Sequence, residues 1–145
     1  MFKKLQNEIG ASGLYQRFKA NLMKKLHDLV NDTVKVALYG SSFAFTDTQT
    51  VYSQSMELLG VGGYTQGGAT LASPTVTEGG TGGGAMFDGA DTAWSSATFS
   101  TYFAVLYDVT PCNTLMCAID FGGVQTVSAG TFTIVYASSG IIRLT

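Results

Sequence analysis

The most regular alternation of apolar and polar positions runs from Thr98 to the last residue, Thr145. Four runs rich in Val, Ile, Phe, Tyr and Thr are separated there by short clusters of Gly, Ser, Asn, Asp and Pro. This is the pattern of an antiparallel β meander whose final strand reaches Thr145. In the first run Phe99, Phe103, Val105 and Tyr107 share one face and Tyr102, Ala104 and Leu106 the other. Both faces are apolar, which predicts a central strand covered on both sides. Leu115, Cys117, Ile119 and Phe121 form the inward set of the next strand, with Asp120 outward; Phe132, Ile134 and Tyr136 form that of the third. Ser138-Ser139-Gly140 turns the chain into the fourth.

Upstream the period changes. Leu14, Phe18, Leu22, Leu26 and Leu29 recur at spacings of three and four, the apolar stripe of an amphipathic helix over residues 14–30. Ser12 is placed to cap it and Asn31-Asp32 to stop it. Residues 1–13, with Gly10 and Gly13, read as a flexible N-terminal arm. Val34, Val36 and Leu38 then alternate with Lys35 and Tyr39, a half-buried strand. Val51, Met56 and Leu59 give a weak helical pattern. Residues 69–77 suit a strand confined to an edge or bulge by Pro74. Residues 79–84 read as a flexible glycine loop, Ala85 to Asp88 as a strand, and Gly89-Ala90-Asp91 as a turn. No repeat is present. Seven or eight short strands in residues 14–145 predict one mainly β domain: a two-sheet sandwich or jelly-roll-like barrel with an N-terminal amphipathic helix and arm.

Composition changes the picture in one respect. Charged residues make up 12% of the 145 residues, about half the share common in soluble proteins. A surface so poor in charge suits contact with other subunits, although a coat of Ser, Thr and Gly would serve a monomer equally. The charge that exists is segregated. Residues 1–35 hold seven basic residues (Lys3, Lys4, Arg17, Lys19, Lys24, Lys25, Lys35) against three acidic ones, a net +4, while residues 36–145 hold one against seven, a net −6; together these give the chain's −2. The basic head suits an acidic partner. It is too sparse and too poor in Arg to argue for nucleic acid. No apolar run is long enough to cross a membrane, and the first residues lack the apolar core of a secretory signal.

Chemistry-bearing residues are few. Cys112 and Cys117 flank Asn113-Thr114 and could face each other across a hairpin, but two cysteines make no structural zinc site, and buried thiols acting as small apolar groups fit better. His27, the sole histidine, lies among lysines with no nucleophile calling for a base, so packing or surface exposure is expected. Residues 79–84 and 60–63 lack the spacing of a phosphate loop or dinucleotide fingerprint. Asp88 and Asp91 bracket a glycine and read as turn caps rather than cation ligands. Trp94, Tyr64, Tyr102 and Tyr107 could stack on sugars only if a row of them were exposed; strand aromatics are commonly core. No nucleophile–base set appears, so no enzymatic activity, cofactor or metal is expected.

Several phrases in fixed order carry a resemblance: Thr33 to Leu38, Gly63 to Leu71, Phe87 to Trp94, Ala104 to Asp108, Ala118 to Gly122, Ser128 to Ile134 and Gly140 to Thr145. Together they resemble a family of small tailed-bacteriophage virion proteins, over about residues 14–145. Residues 79–84, the cysteine pair and the basic arm lie outside that pattern. The resemblance implies a structural protein of the capsid surface, made in the host cytoplasm. It would bind and stabilise the shell as a decoration or cement protein. Its partners would be the major capsid protein and its own copies in a homotrimer, with no nucleic acid or membrane. Lys3, Lys4, Arg17, Lys19, Lys24 and Lys25 are then the expected shell contacts. The alternatives are a tail, neck or fibre component and a carbohydrate-binding module for host recognition.

Overall fold

The computed structural model describes the backbone of residues 2–4 and the whole of residues 11–79 and 83–145. In chain order the elements are β1 (Phe2–Lys4), β2 (Gly13–Leu14), α1 (Gln16–Met23), β3 (Val34–Tyr39), β4 (Ala69–Thr70), β5 (Thr75–Glu78), β6 (Ala85–Asp88), β7 (Thr92–Asp108), β8 (Thr114–Ile134) and β9 (Ile142–Leu144). They form two sheets: β1-β8-β7-β3-β4, with β2 also on β8, and β5-β6-β9. Only β1 with β8 is parallel. The protein is mainly β and of two-sheet sandwich type, with no closed barrel among the described residues.

The frame is the β7–β8 hairpin, of 17 and 21 residues. Where a four-strand meander is expected, the second and third runs are one strand. Gly122 and Gly123, at φ 71° and 151°, bend β8 without reversing it, and pairing with β7 resumes beyond them at Gln125. The bend is required by reach. Lys4 pairs with Thr133 and Gly13 with Ala118; nine residues of chain span at most about 32 Å, while fifteen residues of straight strand would run about 50 Å. The fourth run leaves this sheet altogether and becomes β9 beside β6.

The hairpin has two characters. Near its turn, Ala104 to Asp108 and Thr114 to Ile119 are buried on both faces, because β3 pairs with Phe103 to Asp108 and α1 packs on β8. Toward the other end burial alternates. Trp94, Ala97, Phe99, Val127 and Phe132 point into the core, while Ser95, Thr98, Ser100, Thr126 and Ser128 face solvent. The loop before β4 covers the free edge of β7 there. Thr98 N donates to Gly62 O at 2.8 Å, and a Cβ on Gly62, at φ +57°, would lie 2.0 Å from Thr98 O. Only glycine fits that approach.

The helix is shorter than its apolar stripe suggests. Residues 11–15 first run along β8 and β9: Ala11 N donates to Ile141 O (2.7 Å), Ser12 N to Ala118 O (2.8 Å) and Tyr15 N to Met116 O (3.1 Å). So this part of the expected arm is tied into the sheet, and Tyr15, not Ser12, precedes the first helical turn. The Ser12 hydroxyl accepts from Asp120 N at 3.0 Å instead. At the far end Lys25 takes φ 60°. Lys25 N donates to Leu22 O (3.1 Å) and Leu26 N to Asn21 O (3.0 Å), a Schellman closure achieved without glycine. Phe18 is fully buried, whereas Leu26, beyond the closure, is exposed.

Two smaller expectations also change. Residues 51–59 form no helix; Val51 bridges to Thr114 and Glu57 to Tyr39, with a turn between them closed by Glu57 N on Gln54 O at 3.2 Å. Residues 69–77 split into β4 and β5 around Ser73-Pro74, as Pro74 demands. Of the glycine loop, residues 80–82 lie outside the described residues; Gly79 N donates to Gly84 O at 2.8 Å. Residues 1 and 5–10 of the arm also lie outside them.

Candidate functional site

The segment that leaves α1 is built by short-range polar contacts. Asp32 N and Asn31 N donate to Asp28 O at 2.7 and 3.0 Å. Asp28 N donates to Asp32 Oδ2 at 2.7 Å, and Asn31 Nδ2 to Asp28 Oδ2 at 2.8 Å. That last bond, chiefly, holds the exposed Asp28 carboxyl below its usual range. The turn is fastened to the β7–β8 turn by Val109 N on Thr33 O (2.9 Å) and Thr33 N on Thr110 Oγ1 (3.1 Å).

This fastening carries His27 inward. Its Nδ1 lies 2.8 Å from Asp108 Oδ2, and both side chains have 0% exposure. The Phe18 ring packs on the imidazole at 5.1 Å between centroids. Asp108, the last residue of β7, also accepts from Thr110 N at 3.1 Å. Asp32 completes the group: one donor atom from each of His27, Asp32 and Asp108 lies within 4.8 Å of the others. Burial, first, raises the Asp108 pKa; the His27 contact opposes this and the adjoining Asp32 carboxyl adds to it. His27 Nε2 is buried and has no partner among the described residues. Such a group costs about 1–3 kcal/mol. His27 is thus neither a surface residue nor a plain packing residue. Eighty-one positions separate it from Asp108, and no spacing rule links them. The only local sign was the Asp28-x-x-Asn31-Asp32 turn beside it.

A second buried polar group is structural. Glu57 accepts from the hydroxyls of Tyr52 and Tyr64 and from Gly67 N at 2.8 Å. Tyr64 Oη in turn accepts from Leu38 N at 2.9 Å, and Tyr107 Oη donates to Gly67 O at 2.7 Å. Tyr52 stacks on Tyr107 at 4.2 Å. With its carboxylate oxygens occupied by donors, Glu57 anchors residues 52–67 to β3 and β7. Nearby, a cleft of about 290 Å³ opens between Tyr15, Tyr39, Phe43 and the segment of Thr50, Ser53 and Met56. It is lined mostly by carbon.

The expected shell contacts divide. Arg17, Lys19, Lys24 and Lys25 are all exposed on α1 and its closure, and among the described residues none of them is paired with a carboxylate. The side chains of Lys3 and Lys4 lie outside the described residues. The same segment also carries exposed apolar side chains: Met23 at 85%, Leu26 at 53% and Val30 at 50%. The other candidates are placed plainly. Cys112 is exposed in the hairpin turn and Cys117 buried in β8 opposite Leu106, so the two do not face each other and both are free. Asp88 and Asp91 cap backbone, accepting from Gly89 N (2.9 Å) and Tyr136 N (3.1 Å). Trp94, Tyr64 and Tyr107 are buried. No helix among the described residues is long and apolar enough to cross a membrane. No family model, curated protein or solved structure matches the chain.

Proposed function

We propose that this chain is a structural virion protein of a tailed phage, binding and stabilising a capsid shell as a decoration or cement protein. The observation that carries the reading is the segment 16–30, which holds the exposed Arg17, Lys19, Lys24 and Lys25 together with the exposed Met23, Leu26 and Val30 on an otherwise charge-poor β block. Exposed apolar side chains suit burial against a partner. The cations of the same segment select an acidic one. The resemblance of the ordered phrases to those of small phage virion proteins supports the same reading. The solvent face of the hairpin half away from the turn, with Ser95, Thr98, Ser100, Thr126 and Ser128 and no charge, offers a surface for further copies of the chain in a trimer.

The carbohydrate-binding alternative needs an exposed aromatic row, and Trp94, Tyr64 and Tyr107 are instead buried. Quantitative mass spectrometry of purified particles tests the proposal. Copy numbers near that of the major capsid protein, or one trimer per local threefold, support it. A handful of copies, about 3 to 12 as cyclic rings require, would move the chain to tail or neck. Absence from particles would sink both.

A further inference from the structure

We propose that His27, Asp32 and Asp108 bind one first-row divalent metal ion, of the zinc or manganese type, at the junction of the post-helix turn and the β7–β8 turn. Two observations converge. The donor atoms are gathered within 4.8 Å, and the His27–Asp108 pair, at 2.8 Å, need open by only about half an ångström to reach the separation of about 3.3 Å that bonds near 2.0–2.1 Å give between tetrahedral neighbours. Asp32, half-buried on its turn, already lies beside Asp108. Second, two carboxyls share this site with a single imidazole, and Asp108 is fully buried. A divalent cation neutralises both carboxylates at once.

The donor set selects the ion. One imidazole and two carboxylates suit zinc or manganese, whereas calcium and magnesium prefer oxygen throughout. Three protein ligands leave at least one position for water. The ion would pin the segment carrying Leu26 and Val30 to the sheet, but the site stands apart from the virion reading and survives its failure.

The test uses the full chain with Cys112→Ser, which removes the exposed thiol as a competing ligand. Zinc is titrated by calorimetry and by competition with a chromophoric chelator. The expected result is one zinc per chain, a rise in Tm with zinc, and at least a tenfold loss of affinity in Asp32→Asn and His27→Gln. Asp32→Asn keeps an acceptor for Asp28 N, so the fold is retained and the readout stays clean. Manganese, followed through the EPR signal of the free ion, should bind at the same stoichiometry and be displaced by zinc. Absence of saturable binding, or wild-type affinity in both variants, would overturn the site. Equal affinity for magnesium or calcium would overturn the donor-set assignment.

Discussion

At the scale of single residues, burial separates side chains of one type into different chemistry. Cys112 is exposed in a turn, while Cys117 is buried between strands, its thiol pushed up to about 12 by burial. Thiolate is the reactive form. A thiol reagent at pH 8 is therefore expected to modify one cysteine quickly and the second only on unfolding; two fast thiols in native protein would contradict the placement of Cys117. Tyr64 is a similar case. Its hydroxyl donates to Glu57 and accepts from Leu38 N. Tyr64→Phe keeps the ring against Trp94 and Phe99 but leaves both partners short of a bond. A loss of about 1–3 kcal/mol is expected, read as a lower urea midpoint at unchanged m-value. An unchanged midpoint would show that water replaces the hydroxyl.

At the scale of elements, period and composition revealed the longer strands and their apolar faces, but neither the short β1 and β2 in and beside the expected arm nor how the chain is cut. Val34 to Tyr39, Ala85 to Asp88 and the run ending at Asp108 were legible as strands because extended patterning and flanking turn residues agree there, although Val34 to Tyr39, expected to be half-buried, is covered on both faces. Gly122-Gly123 was misleading because glycine pairs mark both turns and bends, and only the partner strand decides between them. The apolar stripe of residues 14–30 continued past the helix because Leu29 packs against the core from a loop, so a helical spacing survived without a helix. The Glu57 cluster was invisible for another reason: its members come from three segments joined only by tertiary contact. It leads to a prediction about the loop it anchors. Burial first, and the Glu57 carboxylate next, raise the Tyr107 hydroxyl to about 12 and raise Tyr39 as well. For Tyr64 and Tyr52, burial and then the hydrogen bond to Glu57 raise them too. Each ordinary value is about 10. The folded state therefore holds these protons more tightly than the unfolded chain. The stability they contribute is fully present below about pH 10 and is lost as pH rises from there toward 12. Circular dichroism melts should show Tm falling steeply between pH 10 and 11.5. A flat profile would mean that the hydroxyls titrate freely.

At the scale of the whole molecule, charge is divided between a basic segment at residues 17–25 and a charge-poor β body. The basic side chains of α1 and its closure contribute little to the fold, since they are exposed and none is paired with a carboxylate among the described residues; exposed substitutions of this kind shift stability by about 0.5 kcal/mol or less each. Binding to an acidic shell would depend on them collectively. In the triple variant Arg17→Glu, Lys19→Glu, Lys24→Glu, Tm is expected to stay within a few degrees of wild type. Co-sedimentation with purified shells should be lost. Wild-type binding should weaken as salt rises, because at 1 M the screening length falls to about 3 Å. On the proposed reading the exposed apolar set of Met23, Leu26 and Val30 would supply the part that salt does not remove, so binding that falls to a plateau rather than to zero is the expected form of the curve. Replacing Met23 and Leu26 by Ser should abolish the plateau while leaving the salt-sensitive part. Binding by the charge-reversed variant at wild-type strength, or a wild-type curve indifferent to salt, would exclude the helix end as the contact and return attention to the uncharged face of the hairpin.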